Sequence, residues 1–556
     1  MLETKTPKRF ALALLAATCL TPVAAAQAAP GDRIGPEFQV NTTTIGDQTV
    51  PAVAMDSDGD FVVAWQSNGQ DGDGAGIFAQ QYNAASEPLG GEFQVNTVTT
   101  NDQTQAQVAM DADGDFVVAW TDCYSLYNCE IFARRYDAAG APQGGEFQVS
   151  TAATGYRRGG PIAMDADGNF VVAWHSCTGD PLIEVVCTSF AQRFDSSGAR
   201  QGPELAFADS LITNVSMDAD GDFVMVRSGD DGNGDGVIAQ LFSATGQALS
   251  GEILVNTTTS GNQVRGAVAM APSGEFVVSW TGSQTFSWDI FAQRFDASGS
   301  AVGAESQVNT FSPGEQHYSV VATNADGGFV VLWSGRGRDD SRGIFGRRYD
   351  ASGSALEDEL RVNVTVSGVQ EWPSAAMDAD GDLVVTWHSS GQDGDANGIF
   401  AQRFDGAERV EGDFDGDGKA DLLWRNPATG QTIVWLMDGD AKLAEGSIGT
   451  VPSKWEIAGT GDFNGDGKAD VLWRNSTTGT AIVWQMDGLE RAAAQSIGAV
   501  PLAWTVEQLR DTNGDGLSDI VWRNAGSGVT VVWRMSGFTK TAADPIGSVP
   551  SDWDLH

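Results

Sequence analysis

Basic residues are scarce in this chain. Lys and Arg number 32 against 74 Asp and Glu, which leaves a formal net charge of −42. A surface so acidic repels phosphate backbones and anionic lipid, and excludes nucleic acid as a partner. Histidine occurs four times, at His175, His317, His388 and His556. The metalloprotease HExxH pair, the GxSxG nucleophile elbow and the phosphate-binding loop are all missing. His175 and His388 follow Trp174 and Trp387 at the same place in a repeat, so duplication explains their likeness. With so many acids, carboxylate pairs spaced for glycoside hydrolysis arise by chance, and none stands out. Beyond the N-terminal segment no apolar run reaches about 18 residues, so no transmembrane helix is expected.

The first residues, MLETKTPKRF, are basic and lead into an apolar run over Phe10–Leu20 and then TPVAAAQAAP. A basic start, a short apolar core and small residues at Ala26 and Ala28 predict a signal peptide over 1–28, cut after Ala28, and hence export. Cysteine is also sparse, with five in all. The four beyond the leader fall as two close pairs, each within one loop. In an oxidising compartment this spacing predicts the disulfides Cys123–Cys129 and Cys177–Cys187.

What the chain has in abundance is repetition. Segments like AMDADGDFVVAW recur seven times, at Phe61, Phe116, Phe170, Phe223, Phe276, Phe329 and Leu383. IFAQRFD-like segments follow each, and EFQVNT-like segments begin at Glu37, Glu92, Glu146, Glu204, Glu252, Glu305 and Glu359. Each unit reads as four short strands. FVVAW is apolar on both faces, as a strand between packed sheets must be. Four-stranded units at this period predict a β-propeller. The pattern opens with a lone fourth strand at Glu37 and closes without one at Asp405. The displaced first strand is therefore expected to complete the last unit and close seven blades, removing open sheet edges.

Recognition is expected where the repeat is poorly copied. Tyr156, Arg157, Arg158, Arg265, His317, Tyr318 and Trp372 lie near the starts of first strands, beside a recurring glutamine at Gln48, Gln103, Gln263, Gln316 and Gln370. These glutamines either satisfy backbone groups or, with the aromatics and arginines, hold a sugar or peptide. The DxDGD turns, such as Asp56–Asp60, are read as hairpin chemistry rather than calcium sites. Asp71–Asp73 and Asp230–Asp235 are the better calcium candidates in this half.

From Gly412 a different repeat begins, GDFDGDGKADLLWRN, with a period of 49 residues. It sets out Asp413, Asp415, Asp417 and Asp421, then Asp462, Asn464, Asp466 and Asp470, then Asp511, Asn513, Asp515 and Asp519. Oxygens at positions 1, 3, 5 and 9, with a glycine at 6, wrap a hard cation such as calcium. The carbonyls of Lys419, Lys468 and Leu517 at position 7 would add a ligand. A strand-forming LLWRN follows, which makes this a β-hairpin loop rather than a helix–loop–helix site.

These residues resemble the FG-GAP or VCBS repeat family of extracellular proteins, related to the calcium-bearing blades of integrin α chains. The resemblance spans 410–556 and implies structural calcium in a binding or adhesion module. Three repeats are fewer than a closed propeller needs, which leaves a three-fold assembly or an open stack. The expected architecture is all-β: a signal peptide over 1–28, a linker over 29–36, a seven-bladed propeller over 37–406 closed by its N-terminal strand, and a three-repeat calcium-binding β module over 407–556. The expected function is a secreted or cell-surface binding or adhesion module for an extracellular glycan or protein. The alternatives are a polysaccharide-degrading enzyme or a purely structural surface protein.

Overall fold

The computed structural model describes residues 33–549 apart from 126–127, 152–155, 181–183, 209, 285–286, 339, 380, 405, 407–411, 417–418, 439–440, 465–467, 511 and 513–516. Among the described residues every regular element is a β-strand. No helix there is long and apolar enough to cross a membrane. The leader expected over 1–28 lies outside the described residues.

The first full repeat folds as four antiparallel strands in sequence order: Gln48–Met55, Phe61–Asn68, Ala75–Tyr82 and Pro88–Gln94. Later repeats do the same, some with a fourth strand of two residues, as at Ile253–Leu254. The second and third repeats merge into one nine-stranded sheet. They are joined by Tyr156–Arg158, which pairs with its own second strand and, at Tyr156, with Cys129 of the preceding repeat.

FVVAW explains how the sheets stack. Phe61 to Trp65 are all buried, because each face of the strand meets a different neighbour. Val62 and Ala64 pack with Val108, Phe116 and Trp120 of the next repeat. Phe61, Val63 and Trp65 pack with Val384, Ile399 and Ala401 of the last. The same alternation sets Val117 and Ala119 against Phe170, Val172 and Trp174, and Val330 and Leu332 against Leu383, Val385 and Trp387. Burying each such side chain contributes about 1.5–3 kcal/mol. Truncating one of the buried tryptophans would cost about 3–5 kcal/mol.

The N-terminal strand, Arg33–Gln39, pairs antiparallel with Asn397–Phe404, placing Phe38 opposite Ala401. The Glu37 carboxylate accepts the Val364 amide at 2.6 Å and the Thr365 hydroxyl at 2.9 Å. Glu92 does the same for Thr42, and Glu305 for Thr257. Residues 33–36, read as linker from the sequence, are already in this strand. A bulge between Ile34 and Phe38 interrupts the apolar alternation there and hides the strand.

After residue 412 the sheets change character. The first has three strands, Leu422–Arg425, Gln431–Asp438 and Ala441–Thr450. The next two have four each, beginning at Trp455–Gly461 and Trp504–Arg510. The acidic loop precedes the first strand of the three-stranded sheet and joins first to second strand in the two sheets that follow. Phe414 enters the core of the following repeat with Val471, Trp473 and Met486, and Phe463 enters that of Ile520, Trp522 and Met535. Trp473 and Trp522 are buried, whereas Trp424 in the first of these sheets is exposed.

Candidate functional site

All five repeated glutamines are buried, and they act as latches. In the last repeat the Gln370 side-chain amide donates to the Ser367 carbonyl at 3.0 Å and to the Ser389 hydroxyl at 3.2 Å. Its oxygen faces the Asn363 amide at 3.4 Å; Asn363 also donates to Asp340 at 2.8 Å and accepts the Ile344 amide at 2.8 Å. The trio Asp71, Asn96 and Gln103 repeats the arrangement, as does Asp231, Asn256 and Gln263. The glutamines thus satisfy buried backbone and side-chain groups, the first of the two readings left open by the sequence.

Two residues past each of these glutamines, the first strand bulges. Its register shifts there in repeat after repeat, for example between Thr49 and Ala52 and between Glu371 and Ser374. At the same places φ turns positive: 52° at Val50, 57° at Gln105, 59° at Arg265 and 56° at both Tyr318 and Trp372. Bulky residues rarely adopt this conformation, which costs of order 1–3 kcal/mol each, so its recurrence marks a built feature. It re-aims one side chain per repeat. Three of them meet: the Arg265 guanidinium lies 4.2 Å from the Tyr318 ring centre, and the Tyr318 and Trp372 rings are 4.2 Å apart. His317 stands 6.1 Å from Tyr318 and 6.1 Å from Trp288. Trp372 is 38 % exposed, an unusual setting for a tryptophan unless it meets a partner.

The third repeat departs from this. Arg157 occupies the glutamine position, is 1 % exposed and forms an ion pair with Glu130, which also accepts the Ser150 hydroxyl at 2.8 Å. A buried, paired arginine is a latch and not part of a ligand surface, which corrects its expected place there. Tyr156 is in the strand that joins two repeats, and Arg158 is exposed opposite His175. The disulfides Cys123–Cys129 and Cys177–Cys187 are formed, and each links directly paired residues of neighbouring strands. They staple the two sides of the Tyr156 strand.

Beside the aromatic cluster is a cavity of about 210 Å³ whose wall includes Glu315, His317, Arg336, Arg342 and Glu371. His317 pairs with Glu315 at 3.2 Å, and Arg342 pairs with Glu371. The sequence candidates omitted Glu315, Glu371 and Trp288 and named neither Arg336 nor Arg342 singly, though their loop, SGRGRDDSRG, is among those that vary between repeats. The run RGRDDSR, three arginines in seven residues of a chain so poor in basic groups, was the available signal. His388, opposite Glu371 on the neighbouring strand, is lowered to about 4 by burial, with Asp47 opposing and Arg342 adding to the shift. His175 is lowered to about 4 as well, by burial and then by Arg158. Both rings are neutral core groups near pH 7.

The DxDGD turns satisfy themselves. Asp56 accepts the amides of Asp58 at 3.0 Å and Asp60 at 2.9 Å, and Asp111 and Asp218 repeat this. Asp71 and Asp231 belong to latches, while Asp73 and Asp230 accept turn amides. Neither Asp71–Asp73 nor Asp230–Asp235 gathers carboxylates in a metal-ligating group among the described residues.

Asp413, Asp415 and Asp421 do, with carboxylate oxygens within 4.8 Å of one another. Asp413 and Asp421 are buried, and Asp415 Oδ1 is buried without a hydrogen-bond donor. An orphaned oxygen amid three converging carboxylates fits a hard cation. Position 9 has a second duty. Asp421 accepts the amides of Phe414 and Met437, both at 2.8 Å; Asp470 those of Phe463 and Met486; Asp519 those of Thr512 and Met535. In the second loop Asp462 is buried and Asn464 half-buried; Lys419 is exposed, and Lys468 reaches Asp487 at 2.7 Å. Leu517 is half-buried. Asp417, Asp466, Asp511, Asn513 and Asp515 lie outside the described residues.

Residues 413–473 match the FG-GAP-like repeat family. The matched FG-GAP-like segment holds the first two acidic loops. No curated protein matches the chain. Among solved structures it is similar to a protein of unknown function from Dyadobacter fermentans, at 12% identity and a TM-score of 0.43, over 67% of this chain and 98% of that one. It is similar to an oligogalacturonate lyase in complex with manganese, at 14% identity and a TM-score of 0.38, over 68% and 98%. A Penicillium chrysogenum α-L-arabinanase complexed with arabinobiose follows at 11% identity and a TM-score of 0.37, over 68% and 98%. These likenesses are shallow.

Proposed function

We propose that this is an exported binding protein: a seven-bladed β-propeller closed by its N-terminal strand carries the ligand surface, and a three-repeat module braced by calcium follows it. The observation that carries the reading is the Arg265–Tyr318–Trp372 stack, built by strained bulges and left open to solvent beside a polar cavity. Flat aromatic faces next to convergent hydrogen-bonding groups suit a sugar ring, either free or displayed on a cell surface. Calcium is favoured for the Asp413, Asp415 and Asp421 loop because its donors are all oxygen and the cation binds outside the cell at about 10⁻⁴–10⁻³ M. It would fix the loop that carries Phe414 into the next repeat. Two disulfides agree with an oxidising, extracellular setting.

Binding to a glycan array, compared between the wild type and Trp372→Ala, tests this. Sugar binding that falls at least about tenfold in the variant, at unchanged melting temperature, is the expected result. Undiminished binding by the variant would remove the surface from the account. A second reading, cleavage of a polysaccharide, is favoured by the two carboxylates of Glu315 and Glu371 in the cavity wall. Release of reducing or unsaturated ends from a bound polymer, abolished by Glu371→Gln, would replace binding with catalysis.

A further inference from the structure

We infer that the sugar is anionic, with its carboxylate or sulfate held by Arg265 and Arg336; this rests on the reading of the Tyr318–Trp372 surface as the ligand site. Arginines elsewhere in the chain are largely spoken for. Arg157, Arg227 and Arg403 pair with Glu130, Glu252 and Asp382. Arg135 donates to the Ser197 carbonyl of the next repeat at 2.7 Å, and Arg193 and Arg294 make equivalent bonds. Arg265 and Arg336 have no such partner. Both are exposed, and neither pairs with a carboxylate among the described residues. Most other arginines thus spend their donors on a carboxylate or a backbone carbonyl of the protein, whereas these two keep theirs for a ligand.

Their settings leave them ready for an anion. The Arg265 guanidinium sits over the Tyr318 ring, and it is exposed, so its planar fork of N–H donors is open to carboxylate or sulfate oxygens, which such a fork takes two at a time. Arg336 is in the cavity wall, where Glu371 is already paired with Arg342. Of the two arginines in that wall, Arg336 is the one without a carboxylate partner among the described residues. At about 210 Å³ it is smaller than a drug-sized pocket of about 300–1,000 Å³, and it suits one ring. Ser334 and Ser341 line it with hydroxyls. An acidic peptide would instead need a groove several side chains long or a free strand edge.

Calorimetric titration of the full chain, in calcium, decides this with four probes: a hexuronate tetrasaccharide, its methyl ester, a sulfated galactan tetrasaccharide and a poly-glutamate peptide. An anionic sugar should bind at least about tenfold more tightly than the neutral ester. Which of the two anionic sugars does so tells carboxylate from sulfate. The double variant Arg265→Gln, Arg336→Gln should erase that preference at unchanged melting temperature, whereas Trp372→Ala should weaken every sugar alike. Equal binding of acid and ester, or a preference that survives in the arginine variant, overturns the anion assignment and leaves the surface standing. Failure of all three sugars, or indifference to Trp372→Ala, overturns the surface as well. Poly-glutamate bound as tightly as the uronate would replace the sugar with a peptide.

Discussion

The turns of the first repeats and the loops after residue 412 have nearly the same composition, Asp and Gly in alternation, yet their carboxylates are used differently. Asp56 accepts two amides of its own turn, and Asp71 is tied to Asn96. These acids are complete within the protein. In the FG-GAP-like loop Asp415 keeps a buried oxygen without a donor, while Asp413 and Asp421 converge on it. The lesson is that acidity alone does not make a cation site. What separates the two regions is whether the backbone supplies enough N–H groups to satisfy each oxygen.

The sharpest way to break this comparison is Asp470→Ala. It strips acceptors from the buried amides of Phe463 and Met486 and removes a loop ligand, for an expected loss of about 3–4 kcal/mol in denaturant unfolding. The loss should fall on residues after 412, and an equal loss in the FVVAW cores would refute the separation.

Acid should act on the first region. His388, held at about 4 in the fold against an ordinary 6.5, favours the neutral ring. Between pH 6.5 and 4 the unfolded chain takes up a proton that the folded chain refuses, so stability falls with pH through that window by up to about 3 kcal/mol. Asp56, pushed up to about 7 mainly by burial, acts in the opposite sense below pH 7. Comparing wild type with His388→Gln isolates the histidine: the variant should lose less stability from pH 6.5 to 4.

Reduction comes next. The closed segments are short, with sequence separations of 6 and 10, so each disulfide contributes about 2–3 kcal/mol. Dithiothreitol should lower the melting of the first region and spare the second. Gln370→Ala has the smallest expected effect, about 1–2 kcal/mol, and its size should be the same with and without calcium. A calcium-dependent loss would mean that the latches are not self-sufficient.

Much of this was legible in the residues. Alternating FVVAW announced a strand buried on both faces, the orphan Glu37 segment announced its pairing with Asn397–Phe404, and the two close cysteine pairs announced their bonds. Asp and Asn spacing located the loop where Asp413, Asp415 and Asp421 meet. Arg157 was misjudged because its exposure depends on Glu130, an acid of another strand that no local pattern connects to it. The left-handed bulge at Val50, Arg265, Tyr318 and Trp372 was hidden for a related reason. Positive φ usually advertises itself through glycine or asparagine, and here it falls on valine, arginine, tyrosine and tryptophan.

Hydrogen exchange of the full chain, in calcium and after removal of cations with EDTA, is the most direct test of the central contrast. The account predicts that the amides of Phe414, Met437, Phe463 and Met486 lose protection on cation removal, while those of Val62–Trp65 and Val384–Trp387 keep theirs. Protection that is unchanged everywhere, or lost equally in both regions, would contradict it.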